Sequence, residues 1–229
     1  MDKFQKKEAD ITGQKLVDAL NRGVLRDNIV FDDFIRKALR FSIKTHEVYQ
    51  KQKRKGKDIA YITHPLTVGL ILSKAGAPDH IIAAGILHDT IEDSIPEKKV
   101  TYEMIAERFG SSVADIVLDV TEENKELPWK ERKLEALNHI KTIESPSLWV
   151  KTADTICNIA ELLDDYKKDK DEVFERFNAP EPKKENTIAN HKAVLSELIK
   201  RWERNFSESE ENPLVLDLEA LVYDIKNLE

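Results

Sequence analysis

The stretch Ala83–Ser94, AAGILHDTIEDS, decides how the rest of this chain is read. It gathers His88, Asp89, Glu92 and Asp93 into about two turns of helix. If the helix runs through the whole stretch, Glu92 lies one turn below His88 and Asp93 one turn below Asp89, so all four share a broad face. Leu87, Ala84 and Ile91 turn the other way. Gly85, on the polar face, leaves room for an ion or for the close approach of another helix. The run IIAAGIL that leads into these groups requires burial, and burying charged groups without partners costs several kcal/mol. A metal ion or a cationic partner compensates for that cost, whereas four acids and imidazoles on a plain surface would not follow so apolar a run.

Upstream, Tyr61-Ile62-Thr63-His64-Pro65 reads as a helix start, with Pro65 at the first helical position and His64 as its cap. Leu66, Val68, Leu70, Ile71 and Leu72 carry that helix to Ala75-Gly76, and Pro78 opens the next. Before it, Ile35, Leu39 and Ile43 mark a helix over residues 31–55, and His46 beside them reads as a structural histidine. The run KQKRKGK then supplies Lys51, Lys53, Arg54, Lys55 and Lys57, either a solvated loop or a phosphate cradle; composition alone favours the loop.

Downstream, Tyr102–Phe109 is a short helix stopped by Gly110, Ser112 begins another, and Pro128 and Pro146 start two more. On the last of these, Lys151, Asp154, Asn158 and Glu161 form a polar stripe among apolar faces, and Asp154 in mid-helix needs a partner if buried. Ile188, His191, Leu195, Leu198 and Trp202 give a further amphipathic helix, with His191 structural. Leu214, Leu218, Leu221, Ile225 and Leu228 give a final one, suited to docking on its own domain or on a second subunit. The expected organisation is a peripheral helix over residues 1–30, a helical domain over 31–205, and a linker with an amphipathic helix over 206–229.

The charged fraction is 34% against 41% apolar, with seven glycines, which favours a mainly helical protein. No segment has the roughly 20 apolar residues that a bilayer requires, and the amino terminus lacks the core of a signal peptide, so a cytoplasmic protein is expected. A lone Cys157 excludes an internal disulfide and a cysteine-rich zinc site. A net charge of −7 argues against a stable nucleic-acid partner and leaves room for a small anion where positive charge is concentrated.

The order His64, His88-Asp89, Asp154 resembles the H, HD, D signature of the HD phosphohydrolase superfamily, an all-helical metal-dependent fold. Over residues 31–165 the segments RKGKDIAYITHP, LHDTIEDS, FGSSVADIVLDVTEE, LPWKERK and VKTADTICNI resemble the hydrolase domain of RelA/SpoT-type enzymes and of small alarmone hydrolases. The resemblance implies an all-α bundle in which His64, His88, Asp89 and Asp154 are metal ligands. The implied ion is Mn²⁺, although two imidazoles and two carboxylates also suit other divalent transition metals. It implies that Glu92 and Asp93 activate water, that Arg54 and Lys55 lie beside the nucleotide, and that Asn158, with Lys151 on the same stripe, faces the substrate. Thr155, Ala160 and Glu161 depart from the family, which commonly carries cations at the first two positions, and His46 precedes His64 by 18 residues, a wider spacing than expected.

The implied activity is removal of pyrophosphate from the 3′ position of ppGpp or a related nucleotide. The alternatives are an HD nucleotidase releasing phosphate from another nucleotide, and a non-catalytic nucleotide or partner-binding module. Self-association through the terminal helices is left open.

Overall fold

A computed structural model describes residues 32–122, 124–205 and 212–228. The helix expected over residues 1–30 and the linker Ser207–Glu211 lie outside the described residues. Those described are all-α, with nine α-helices and no strand beyond one isolated bridge between Lys53 and Ala60. They fall into two compact units that divide between Thr121 and Glu122, inside the stretch expected to be one domain.

In the first unit, α1 (Asp33–Ile43) starts where the Asp32 carboxylate accepts the Ile35 N–H at 2.8 Å, and it buries Ile35, Leu39 and Ile43. It widens into a π-helical turn, Lys44–Gln50, that ends at Lys51 with φ 52°. The expected helix to residue 55 therefore stops early, because a left-handed residue cannot continue it. Residues 52–61 double back, with the Tyr61 N–H donating to the Gln52 carbonyl at 3.1 Å.

Helix α2 (Thr63–Lys74) follows, then Gly76 at φ 77°, then α3 (Asp79–Leu87). His64 is the second residue of α2 rather than its cap, since the helix begins at Thr63, and Pro65 is third. Every residue of Ile81–Leu87 is buried, as suits a helix that is apolar all round and packs against α1, α2 and α5. Helices α2 and α3 meet through two glycines: a Cβ on Gly69 would lie 2.6 Å from Ile86, and one on Gly85 only 2.3 Å from Leu72. The space at Gly85 therefore serves a neighbouring helix. Helices α4 (Tyr102–Phe109) and α5 (Ser111–Val120) complete the unit around Gly110 at φ 92°.

The second unit holds α6 (Trp129–Ile140), the long α7 (Ser145–Asp169), a 3₁₀ turn, α8 (Lys183–Asn205) and α9 (Pro213–Lys226). The Trp202 indole N–H donates to the Thr152 hydroxyl at 2.8 Å, which satisfies a buried donor and pins α8 to α7. Leu214, Leu218, Leu221 and Ile225 bury α9 against α7 and α8, so the final helix docks on its own unit.

Candidate functional site

The helix that begins at Asp79 does not carry all four of the groups that follow Ala83. It ends at Leu87, and His88 through Asp93 lie in turns. At this end the Thr90 hydroxyl donates to the Leu87 carbonyl at 2.7 Å while the Thr90 N–H donates to the same oxygen at 2.9 Å, a tighter bond than the helical one. Such side-chain competition for a carbonyl displaces the next helical bond. The common helical face expected for His88, Asp89, Glu92 and Asp93 is thus replaced by a turn, in which the Asp93 N–H still donates to the Asp89 carbonyl at 2.9 Å.

Within this unit the start of α2 and the end of α3 bring His64 and His88 together. Their Nε2 atoms are 3.2 Å apart and both rings are buried, at 3% and 5% exposure. The Asp89 Oδ2 lies 3.0 Å from the His88 Nε2 and 3.6 Å from that of His64. The Gly85 carbonyl sits 2.7 Å from the His88 Nδ1; a carbonyl only accepts, so Nδ1 carries the proton and Nε2 offers its lone pair toward His64. A histidine held this way is oriented as a ligand by the group behind it.

Tyr61 was not singled out in the sequence, though its place in YITHP hinted at it. Its hydroxyl donates to the Asp89 Oδ2 at 2.5 Å, and burial, reinforced by Asp89 and Asp93, pushes its pKa well above the usual phenol range. The Arg54 guanidinium stands 5.5 Å over the Tyr61 ring, whereas Lys55 is exposed in the turn beyond it. His46 is fully buried and its pKa is lowered by that burial, as expected of a structural histidine.

In the second unit Asp154 sits mid-way along α7, and two residues of its own stripe bond to it. Lys151 Nζ donates to Oδ2 at 3.2 Å and Asn158 Nδ2 to Oδ1 at 2.6 Å. Both residues expected on the substrate therefore hold the Asp154 carboxylate. Lys133, which the sequence reads as part of the exposed charged face of the helix after Pro128, is instead half-buried, and its pKa is lowered by burial and by the neighbouring Lys151 and Arg132, against the opposing pull of Glu122. His191 is pushed down to about 4 by burial and by Lys133. Thr155 turns its hydroxyl back to the Lys151 carbonyl at 2.8 Å, so no cation stands at that position.

An HD-domain family model matches residues 38–179, and the chain belongs to the HD-domain family. Its relatives narrow the class. The chain is 35% identical over 130 residues to the guanosine-3′,5′-bis(diphosphate) 3′-pyrophosphohydrolase MESH1 of Xenopus tropicalis, an alignment covering 56% of this chain and 69% of the relative. It is 37% identical over 131 residues to the enzyme of the same activity from Aquifex aeolicus, covering 56% of this chain but 18% of that longer protein. Its fold matches that of a metazoan ortholog of SpoT that hydrolyses ppGpp, with a TM-score of 0.66, 21% identity, and coverage of 87% of this chain and 98% of the other. The expected family and all-α fold are borne out.

Proposed function

We propose that this chain is a divalent-metal-dependent 3′-pyrophosphohydrolase acting on ppGpp or a close relative, with Mn²⁺ as its ion. The observation that supports this reading most is the pair of buried, facing Nε2 atoms of His64 and His88 beside the Asp89 carboxylate. Two imidazole lone pairs and an anion converging at such distances are a donor set that a cation satisfies. Asp154 is assigned as the fourth ligand on the H, HD, D signature. When bound, the ion would act as a Lewis acid toward the diphosphate oxygens.

The chain's own residues supply the rest. Glu92 and Asp93, in the turn after Asp89, would take a proton from the attacking water. The water oxygen bonds to the phosphorus nearest the ribose, the bond from that phosphorus to the 3′ oxygen breaks, and a proton goes to the 3′ oxygen as pyrophosphate leaves. Arg54 and Lys55 would hold the nucleotide. A cytoplasmic setting fits the absence, among the described residues, of any helix long and apolar enough to cross a membrane.

Thr155, Ala160 and Glu161 favour a second reading, a nucleotidase acting on a simpler nucleotide, because they thin the positive charge along α7. Incubation with Mn²⁺ and a panel of ppGpp, GMP and dGMP separates the two. Pyrophosphate release with the highest kcat/KM for ppGpp is expected, and inorganic phosphate from the monophosphates at a higher kcat/KM would overturn it. Turnover of none of them would point to a binding module.

A further inference from the structure

The π-helical turn Lys44–Gln50 and the residues after it carry two glutamines that reach the same acid. Gln50 Nε2 donates to the main-chain carbonyl of Asp93, and Gln52 Nε2 donates to the Asp93 Oδ2 at 3.1 Å. The Gln50 amide is held at both of its ends, whereas the Gln52 amide donates to Asp93 and its Oε1 is buried without a hydrogen-bond partner. The Gln50 Oε1 sits 2.9 Å from the Nδ1 of fully buried His46, and since the Asp93 carbonyl can only accept, the amide has one orientation and the His46 Nδ1 is the donor. The Gln52 main chain, from which that amide extends, is held on both sides: its N–H donates to the His46 carbonyl at 3.1 Å, and its carbonyl accepts from the Tyr61 N–H at 3.1 Å.

We infer that Gln52 and Gln50 are positioning residues for the hydrolytic reaction, which set the direction of the Asp93 carboxylate. This rests on the assignment of Asp93 as a water-activating acid. Asp93 lies beyond the end of α3, where no helix orients its side chain. A base that misses its proton by about 1 Å loses on the order of 10²-fold in rate, so a turn residue in this role needs an external frame. Gln50 anchors the backbone of that turn and Gln52 fixes the plane of the carboxylate. The extra width of the π turn gives the frame a structural reason, since π-helical turns recur where a helix must re-aim side chains at a functional site.

The test is steady-state kinetics on the Mn²⁺-loaded full chain with Gln52→Ala and the near-isosteric Gln52→Glu, alongside Asp93→Asn and the Gln52→Ala/Asp93→Asn pair. Loss of an orienting partner of this kind costs about 10- to 100-fold in activity, so kcat should fall by that factor in both Gln52 variants. KM and bound manganese should stay at parental values in Gln52→Ala. On the Asp93→Asn background Gln52→Ala should add nothing, because it acts through Asp93. Parental kcat in Gln52→Glu overturns the inference even if Gln52→Ala does not fold. So does an additive loss in the double variant, which would mean that Gln52 acts elsewhere. A parent without turnover defeats the functional reading and this inference with it; an active parent, a crippled Asp93→Asn and unimpaired Gln52 variants defeat this inference alone.

Discussion

The Nε2 atoms of His64 and His88 face each other across 3.2 Å, and the tautomer of His88 is set by the Gly85 carbonyl behind it. Two such nitrogens cannot both present lone pairs to one another without a proton or a cation between them. Metal content is therefore the first measurable consequence. Replacing His88 with Ala should abolish stoichiometric Mn²⁺ binding while leaving far-UV helicity nearly unchanged, because the residue lies just past the end of α3. Asp154→Ala should weaken binding as well if Asp154 is a ligand; metal content equal to the parent's in that variant would remove Asp154 from the ligand set.

The glycine contact predicts a stability effect with a structural cause. A methyl group on Gly85 would meet Leu72 at 2.3 Å and Val68 at 3.2 Å, and Leu72 is fully buried. Gly85→Ala should destabilise the protein by about 1–3 kcal/mol, reduced by the better helix propensity of alanine. Thermal melts of Gly85→Ala, Leu72→Ala and the pair should be non-additive, with the pair less destabilised than the sum. Additivity would mean that the helices separate to admit the methyl group.

Arg54 lies over Tyr61, one hydrogen bond away from Asp89. Arg54→Ala/Lys55→Ala should raise KM for ppGpp and flatten its dependence on salt, since exposed cations attracting a polyphosphate are screened as ionic strength rises. A smaller change in kcat is expected if they bind ground and transition states alike. Unchanged KM at low salt would return the basic loop to the solvated role that composition favours.

His191 predicts a pH dependence. Its folded pKa of about 4, below the ordinary 6.5, means that the unfolded chain binds the extra proton first as pH falls. Its contribution to stability is thus complete above pH 6.5 and is lost progressively as pH drops toward 4. The cationic Lys133 and the acidic Asp154 both face it, with opposite effects on its charge. Denaturant midpoints of chelator-treated protein should fall more steeply across that window in the parent than in His191→Gln, and parallel curves would show the imidazole to be exposed to solvent.

The helices could be read where residue chemistry punctuates them: Gly110, Pro128 and the apolar stripe of α9 mark boundaries found in the structure. The ligand candidates were legible because an apolar run leads directly into His88-Asp89. What periodicity could not reveal was the end of α3 at Leu87, before Glu92 and Asp93, where the Thr90 hydroxyl and N–H both bond to the Leu87 carbonyl. The π turn was equally hidden, since one extra residue per turn leaves the stripe of Ile35, Leu39 and Ile43 intact up to the point where it begins. Gln50 and Gln52 had no signal at all, as uncharged amides in a basic loop resemble solvent-facing residues.

Helices α2 and α3 form a hairpin whose connection is only Ala75–Pro78, and the two imidazoles sit at its open end. Closing so short a loop costs little chain entropy, and helical hairpins of this kind form among the earliest events of folding. The histidine pair is accordingly brought together by two consecutive helices, 24 residues apart in the chain. Ion capture then requires little ordering of this half of the site, which makes the hairpin a rigid pincer and leaves the remaining freedom to the residues that approach it later.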